Sequence, residues 1–278
     1  MIPPIADRFV AGESAETALE HVADLNRNDV KGIVNLLGEH YHEPEPAAED
    51  RDAYLELVRQ IDDSAAEACI SVKPSQIGID VGEDTFRENL SDIVSIADAR
   101  DIFVWIDMED HTTTDVTLDA YEAMATEYGD GVGVCLQSNL KRTRDDLERV
   151  AELPGKIRIV KGAYDEPADI SYKQKEKVNE RYRADIAYMF EHFEDGIAVG
   201  SHDPEMIEYA IDLHDEYGTP MEFQMLMGVR EDEQRRLARE GYEVWQYVPY
   251  GSKWFSYFYR RIRERKENLL FAARALLG

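Results

Sequence analysis

The stretch IFVWIDMED, at residues 102–110, is an almost unbroken apolar run that ends in a segment with three carboxylates. Continuous apolar residues are typical of a strand buried on both faces, as strands are in a parallel sheet. Seven similar runs occur along the chain, at residues 31–39, 69–73, 132–137, 156–163, 196–202, 221–228 and 242–251. The sequence therefore predicts eight buried strands.

Segments with the 3.6-residue periodicity of amphipathic helices alternate with these strands. They cover residues 14–25, 51–65, 84–99, 118–129, 143–153, 177–193, 203–218 and 231–241. Ser14 is placed to cap the first helix, with Thr17 where a capping box usually has an acid. The stretch at 40–50 is predicted to be a loop long enough to cover one end of a barrel.

Strands that alternate with helices without linkers are typical of an α/β barrel of the (βα)₈ TIM type. We predict a single such domain over residues 1–278, with an N-terminal helix and a last helix that caps the C-terminal mouth. An open doubly wound sheet is the alternative, but no G-x-G-x-x-G motif follows the first predicted strand.

The charge of the chain is strongly negative. It has 58 Asp and Glu against 31 Lys and Arg, a formal net charge of −27, and the acids are spread along its whole length. A dispersed acidic surface repels phosphates, so neither nucleic acid nor anionic lipid is expected as a partner. The same balance is typical of cytoplasmic proteins from halophiles, such as halophilic archaea, because concentrated salt screens the self-repulsion. We therefore predict a halophilic, cytoplasmic protein.

The cysteines and histidines do not indicate a disulfide, a metal site or a nucleophile. Cys69 and Cys135 lie inside apolar runs, as small buried residues of a reducing compartment do. No H-x-x-x-H pair, G-x-S-x-G motif, C-x-x-C pair or Walker A loop occurs in the sequence, so no metal site is predicted. The N-terminus lacks the pattern of a signal peptide, and no apolar run approaches the ~18–20 residues of a spanning helix.

Polar residues occupy the ends of the predicted strands, where the chemistry of a (βα)₈ enzyme lies. They are Glu39, Lys73, Asp107, Glu109, Asp110, Gln137, Arg158, Lys161, His202, Gln224 and Tyr247. Each alone has an ordinary explanation, since His202, for example, could simply cap the next helix. Together they place four groups that can carry positive charge, Lys73, Arg158, Lys161 and His202, around one opening. We therefore predict a pocket for an anionic ligand.

The stretch YFYRRIRERK, at residues 257–266, concentrates positive charge shortly after the eighth strand. Basic residues late in a helix can simply complement its dipole. At about 100° per residue, however, Tyr257, Arg260, Arg261 and Glu264 fall within one arc of about 100°, whereas Arg263 points elsewhere. A tyrosine and a glutamate are not needed to complement a dipole, so we predict that this face covers the barrel mouth.

The order of motifs along the chain resembles that of the monofunctional proline dehydrogenases, which are flavoenzymes on a (βα)₈ barrel. The resemblance is carried by RFVAGES (8–14), NLLGE (35–39), SVK (71–73), IDMED (106–110), Gln137, RIVKGAY (158–164), SHDP (201–204), EFQML (222–226), YVPYG (247–251) and YRRIRE (259–264). Asn35 and Ser201 stand where many relatives are expected to have Asp and Thr, and both differences are tolerable. The resemblance implies oxidation of L-proline to Δ1-pyrroline-5-carboxylate, with FAD as cofactor and a quinone as electron acceptor.

The resemblance also implies roles for individual residues. Those expected to contact proline are Lys73, Arg260 and Arg261 at its carboxylate and Tyr164, Leu226, Tyr247 and Tyr257 around its ring, with Asp107 orienting Tyr247. Those expected to hold FAD are Gln137, Arg158, Val160, Lys161, His202 and Glu264, with Arg158 near the flavin N5. Glu39 is expected to pair with Arg260 when the site is empty.

Two other functions remain open at this stage. A Schiff-base lyase could use Lys161 or Lys73, since aldolases of this fold also use lysines at strand ends. A catalytically silent barrel could bind proline or flavin without turnover. The sequence leaves open the oligomeric state and whether the protein touches a membrane to reach its quinone.

Overall fold

In the computed structural model, which describes residues 8–255, eight parallel strands close into a barrel. The strands are β1 (Val30–Leu36), β2 (Ala68–Val72), β3 (Val104–Ile106), β4 (Val132–Gln137), β5 (Lys156–Val160), β6 (Ile197–Gly200), β7 (Met221–Leu226) and β8 (Glu243–Tyr250). Each strand pairs with the next along the chain, and β8 closes the barrel against β1, where Trp245 lies opposite Lys31. The prediction of a TIM-type α/β barrel is confirmed.

The helices follow the predicted alternation. Within residues 8–255 they are α1 (Ala15–Asn26), α2 (Pro44–Asp62), α3 (Glu83–Asp98), α4 (Thr114–Tyr128), α5 (Thr143–Val150), α6 (Lys175–His192), α7 (Pro204–Tyr217) and α8 (Glu231–Arg239). The helix α1 precedes β1, and the Ser14 hydroxyl accepts a hydrogen bond from the Thr17 backbone N–H, which confirms the predicted cap.

The predicted loop at 40–50 is wrong over its second half, because α2 begins at Pro44. A proline at the first helical position has a φ angle that suits the helix, and the N–H that it lacks would have no partner within the helix there. Only residues 37–43 therefore separate β1 from α2.

Some of the predictions concern other parts of the chain. The predicted capping helix at 257–266 lies outside the described residues, and so do both ends of the predicted 1–278 domain. Between residues 8 and 255, none of the helices combines the length and the apolar character that a membrane span requires.

The inside of the barrel is apolar in its middle and charged toward the N-terminal ends of the strands. Ile33, Cys69, Trp105 and Ala198 form the buried apolar part, and both Cys69 and Cys135 are free and buried, as predicted. Below them lie two ion pairs, Lys31 with Glu243 at 3.2 Å and Lys156 with Glu222 at 2.5 Å. The strands are therefore less uniformly apolar than their sequence runs suggest, since paired charges can be accommodated inside a barrel.

Replacing Gly133 by Ala is expected to lower the free energy of unfolding by about 1–3 kcal/mol, because it overpacks the core. A Cβ atom at this position would lie 2.6 Å from the Trp105 ring and 2.7 Å from the Lys156 carbonyl oxygen. Denaturant unfolding measures the difference. Gly131→Ala is the matched control, since its Cβ would come no closer than 3.6 Å to a neighbouring atom. Equal stability of the two variants would show that the barrel interior has room for a methyl group beside Trp105.

Candidate active site

Three side chains from different strands meet at the C-terminal mouth of the barrel. Asp107, directly after β3, accepts hydrogen bonds from the Tyr247 hydroxyl at 2.8 Å and the Ser71 hydroxyl at 2.6 Å. The same carboxylate also accepts from Nη2 of Arg158. The structure thus brings together Asp107, Arg158 and Tyr247, which the sequence predicted to be site residues.

Arg158 is buried at 5% exposure, which makes its surroundings decisive. Its guanidinium lies over the Trp105 ring, 5.0 Å from the centroid, and its Nη1 donates to Oε1 of Gln224 at 3.0 Å. A buried charge is tolerated only when it is paired and hydrogen-bonded, and Asp107 supplies the compensating charge. The guanidinium is therefore held by acceptors on two sides.

Tyr247 presents a protonated hydroxyl at this mouth. Burial raises the pKa of the Tyr247 phenol well above its ordinary value, and the negative charge of Asp107 raises it further. The hydroxyl therefore keeps its proton and donates to Asp107, which restricts the orientation of the ring. A hydrogen bond from the Tyr247 hydroxyl to Asp107 is the contact that would let Asp107 orient the ring.

Lys73 and Gln137 lie at the ends of β2 and β4, and both are buried. Lys73 interacts electrostatically with Glu109, and Gln137 forms a hydrogen bond with its backbone carbonyl. The Glu109 carboxylate accepts from the Ser75 backbone N–H at 2.6 Å and from the Ser75 hydroxyl at 2.7 Å. Burial raises the pKa of Glu109, and the Ser75 bonds and the charge of Lys73 oppose that rise. Gln137 donates to the Glu109 carbonyl at 2.7 Å and accepts from the Ala163 N–H at 3.3 Å, so it joins two loops.

Lys161 and His202 form local contacts that sequence reasoning did not predict. Lys161 donates to Asn179 and Asp203, both at 2.6 Å. His202 does not cap α7, because Asp203 is the N-cap. Instead, Nε2 of His202 accepts from the Leu226 backbone N–H at 2.8 Å, so the imidazole is neutral rather than cationic. The inclusion of His202 among the positive groups is therefore corrected.

The remaining predicted site residues are only partly described. Val160 is the last residue of β5, and Tyr164 lies in the following loop, where its carbonyl accepts from Asn139 at 3.5 Å. Tyr257, Arg260, Arg261 and Glu264 lie outside the described residues, and so does the expected pairing of Glu39 with Arg260. Since Asp107 balances Arg158 and Asp203 balances Lys161, a net positive charge at the mouth stays a prediction.

Sequence reasoning missed three residues that contact Arg158 or its partner Asp107. Ser71 and Trp105 each precede a predicted site residue by two positions, and Gln224 was noticed as polar but received no role. Residues two apart on a strand share a face. That spacing from Lys73, Asp107 and Leu226 was the signal that could have identified Ser71, Trp105 and Gln224.

A sequence profile and the sequences of known proteins all point to one family. A sequence profile described as Proline dehydrogenase matches residues 18–274. The chain is 38% identical over 282 residues to "Proline dehydrogenase" of Deinococcus radiodurans, covering 98% of this chain and 90% of that protein. It is 34% identical over 275 residues to "Proline dehydrogenase 1" of Bacillus subtilis strain 168, with the same two coverages.

A solved structure shows the same fold at lower sequence identity. The proline utilization A (PutA) protein of Bdellovibrio bacteriovorus superposes with a TM-score of 0.85 at 22% identity over 92% of this chain. The chain spans only 32% of the length of that protein. The solved structure supports the fold. The profile match over residues 18–274 and the relatives at 38% and 34% identity, which cover 98% of this chain, show that the chain belongs to the proline dehydrogenase family.

Proposed function

We propose that this protein oxidises L-proline to Δ1-pyrroline-5-carboxylate with FAD as cofactor and passes the electrons to a quinone. Membership of the proline dehydrogenase family makes it an oxidoreductase that acts on proline. The observation that carries the finer proposal is the buried Arg158 guanidinium, held between Asp107 and Gln224 at the barrel mouth. A fixed cation suits a site in which a bound group gains electrons.

The substrate would be bound by residues from several strand ends. The proline carboxylate would pair with Lys73, Arg260 and Arg261, since arginine forks match a carboxylate in bidentate geometry. The ring would lie among Tyr164, Leu226, Tyr247 and Tyr257. Asp107 would keep the Tyr247 ring in place through its hydroxyl, a bond of 2.8 Å.

The residues of the β4 and β5 ends fit a ligand such as FAD. Oδ1 of Asn139 is buried and has no partner within the described part of the chain, although such an acceptor normally has one. FAD offers several N–H and O–H donors, and its phosphates suit the ammonium of Lys161. The residues that would hold it are Gln137, Arg158, Val160, Lys161, His202 and Glu264.

FAD, when bound, supplies the acceptor for the hydride that leaves the proline ring carbon next to nitrogen. The side chains of the protein bind and orient. Arg158 stabilises negative charge that develops beside it, and Tyr247 remains a neutral phenol because its pKa lies well above the ordinary value. Trp105 and Tyr247 cover the guanidinium, with ring centroids 5.0 and 6.0 Å away, which limits its contact with water.

The absorption spectrum of the purified protein and identification of the released cofactor test this proposal. A yellow protein that releases FAD on denaturation, and that turns over proline with a soluble quinone, is the expected result. A colourless protein whose Lys161 or Lys73 is trapped by borohydride in the presence of a carbonyl substrate would be a Schiff-base lyase. A yellow protein that never responds to proline would be a silent flavin-binding barrel.

A halophilic, cytoplasmic setting is part of the proposal, and it predicts a dependence on salt. The excess of acidic residues, 58 against 31 basic ones, should destabilise the protein in dilute buffer through self-repulsion. At ~1 M salt the Debye length falls to ~3 Å, so the repulsion is screened. The melting temperature and the activity should both rise from dilute buffer to molar KCl. Equal stability across that range would contradict the halophilic setting and leave the enzyme assignment unaffected.

Replacing Arg261 by Gln is expected to weaken proline binding roughly 10- to 150-fold, as should the same change at Arg260. Each change removes charge-assisted hydrogen bonds of about 1.5–3 kcal/mol. Lys at either position should rescue only partly, because a point charge lacks the planar fork. The dependence of the anaerobic flavin reduction rate on proline concentration measures the affinity.

Arg263→Gln is the matched control, since the arc predicted from the sequence puts Arg263 on another face. A proline analogue without a carboxylate should bind the Arg260 and Arg261 variants almost as well as the wild type. If Arg263→Gln weakened proline binding as much as Arg261→Gln, the basic cluster would be a complement to the helix dipole and the carboxylate would be held elsewhere.

A further inference from the structure

A chain of hydrogen bonds runs through the barrel interior from the N-terminal ends of the strands to the mouth. Lys156 Nζ donates to Oε2 of Glu222 at 2.5 Å, and Gln224 Nε2 donates to Oε1 of Glu222 at 2.6 Å. Arg158 then donates to Oε1 of Gln224 at 3.0 Å and, through its other terminal nitrogen, to Asp107. Glu222 is therefore connected to the mouth through one intervening side chain.

The barrel geometry explains how residues two strands apart can meet. Lys156 and Arg158 are two positions apart on β5, and so are Glu222 and Gln224 on β7, so each pair shares a face. Between them, Ala198 of β6 is in register with Arg158 on one side and Glu222 on the other. Ala198 is fully buried in the barrel interior, and its small side chain leaves room for the longer ones to meet in front of it.

The Gln224 amide has only one orientation that satisfies its neighbours. If it were rotated by 180°, its NH₂ group would face the Arg158 donor and its carbonyl would face the Glu222 carboxylate. Gln224 is 5% exposed and Glu222 is 3% exposed, so water is largely excluded from both. Both Glu222 oxygens accept hydrogen bonds, which is the pattern of an ionised carboxylate, and Lys156 opposes the rise in the Glu222 pKa that burial causes.

We infer that Glu222 is a positioning residue, which holds the Gln224 carbonyl toward Arg158 and so sets the guanidinium at the mouth. Glu222 acts through Gln224 and Arg158. The inference rests on the proposed function, in which Arg158 stabilises negative charge gained by the bound flavin. The inference adds to that function the Lys156–Glu222 pair, near the opposite end of the barrel. The reactivity of the mouth would depend on this pair.

Glu222→Gln tests the inference, because the new amide has one acceptor where the carboxylate had two. The Lys156 ammonium is the stronger donor and should take that acceptor. The NH₂ group of the new amide would then face Gln224, whose amide must turn its own NH₂ group toward Arg158. Misplacement of the guanidinium should weaken sulfite binding to the flavin about 10-fold and slow flavin reduction by proline about 10-fold, with little change in KM for proline.

Glu243→Gln is the matched control. Glu243 lies opposite Glu222 in register on β8 and pairs with Lys31 at 3.2 Å, and it also accepts from the Trp245 indole at 2.8 Å. Its bonds do not lead to Gln224, so sulfite affinity and reduction rate should stay close to those of the wild type. If the loss of one carboxylate charge near the N-terminal ends of the strands were sufficient, both variants would lose sulfite affinity and reduction rate alike.

The double variant Lys156→Met with Glu222→Gln gives the sharpest result. Without Lys156, the new amide carbonyl is free to accept from Gln224, so sulfite affinity and reduction rate should recover most of what Glu222→Gln alone loses. Gln224→Met should reproduce the loss, and adding Glu222→Gln to it should have no further effect. These comparisons hold for folded, flavin-loaded protein, which thermal melting and flavin content verify.

Three results would overturn the inference: wild-type behaviour of Glu222→Gln, equal losses in Glu222→Gln and Glu243→Gln, or no recovery in the double variant. Failure of the proposed function would give a different experimental result. In that case the wild-type protein itself would bind no flavin, or its flavin would react with sulfite but not with proline.

Discussion

Asp107→Asn is expected to lower the free energy of unfolding by about 3–5 kcal/mol, because it leaves the Arg158 guanidinium as an uncompensated buried charge. The side chains of the pair are 7% and 13% exposed, so solvent cannot replace the lost partner. An amide at this position also offers only one acceptor atom to Ser71, Arg158 and Tyr247, all of which donate to the carboxylate. Denaturant unfolding at neutral pH measures the loss.

A surface change provides the control for this prediction. Asp232→Asn removes a carboxylate that pairs with Arg235 in full contact with water, and exposed pairs contribute little to stability. It should scarcely change unfolding. Wild-type stability of Asp107→Asn would show that the charge of Arg158 is compensated by another group, and the central place of Asp107 at the mouth would be lost.

Arg158→Met is expected to slow flavin reduction by proline roughly 10²–10³-fold, the usual cost of removing one preorganised group that stabilises developing charge. Under the proposed function, the charge that the guanidinium would stabilise exists fully only after electron transfer, so proline affinity should change much less. Arg158→Lys should recover only part of the rate, since an ammonium cannot span Gln224 and Asp107 with the same fork. Anaerobic stopped-flow absorbance, normalised to bound flavin, measures the rate.

The comparison of rate with occupancy decides between a reactive and a structural role for Arg158. Loss of flavin occupancy with a normal reduction rate in the remaining loaded protein would make Arg158 a binding residue only. A large fall in proline affinity with a normal limiting rate would place the guanidinium at the substrate carboxylate instead.

The barrel itself was predictable because buried parallel strands leave a strong signal. The predicted run at 132–137 coincides with β4, and the other runs each contain their strand to within one residue at its start. The start of α2 was missed because the proline- and glutamate-rich stretch around Pro44 is typical of a loop. A proline at the first position of a helix and a proline in a loop have the same local sequence pattern.

The site was only partly predictable. Asp107 directly follows β3, and Arg158 and Tyr247 lie inside β5 and β8, in segments that the sequence predicted to be strands. The fold concentrates function toward the C-terminal ends of its strands, so polar residues in these segments were candidates for the site. Glu222 and Gln224 received no role from the sequence, and their connection to Arg158 depends on the register of three strands around Ala198. Strand register across a closed barrel is not encoded in any one run, so this part of the network required the structure.

Anaerobic mixing of the purified protein with L-proline tests most directly whether this barrel mouth oxidises proline. The expected result is loss of the oxidised flavin absorption, with formation of Δ1-pyrroline-5-carboxylate in an amount equal to the flavin reduced. Readmission of a quinone should restore the oxidised spectrum. A flavin-loaded protein whose spectrum L-proline leaves unchanged would contradict the proposed function.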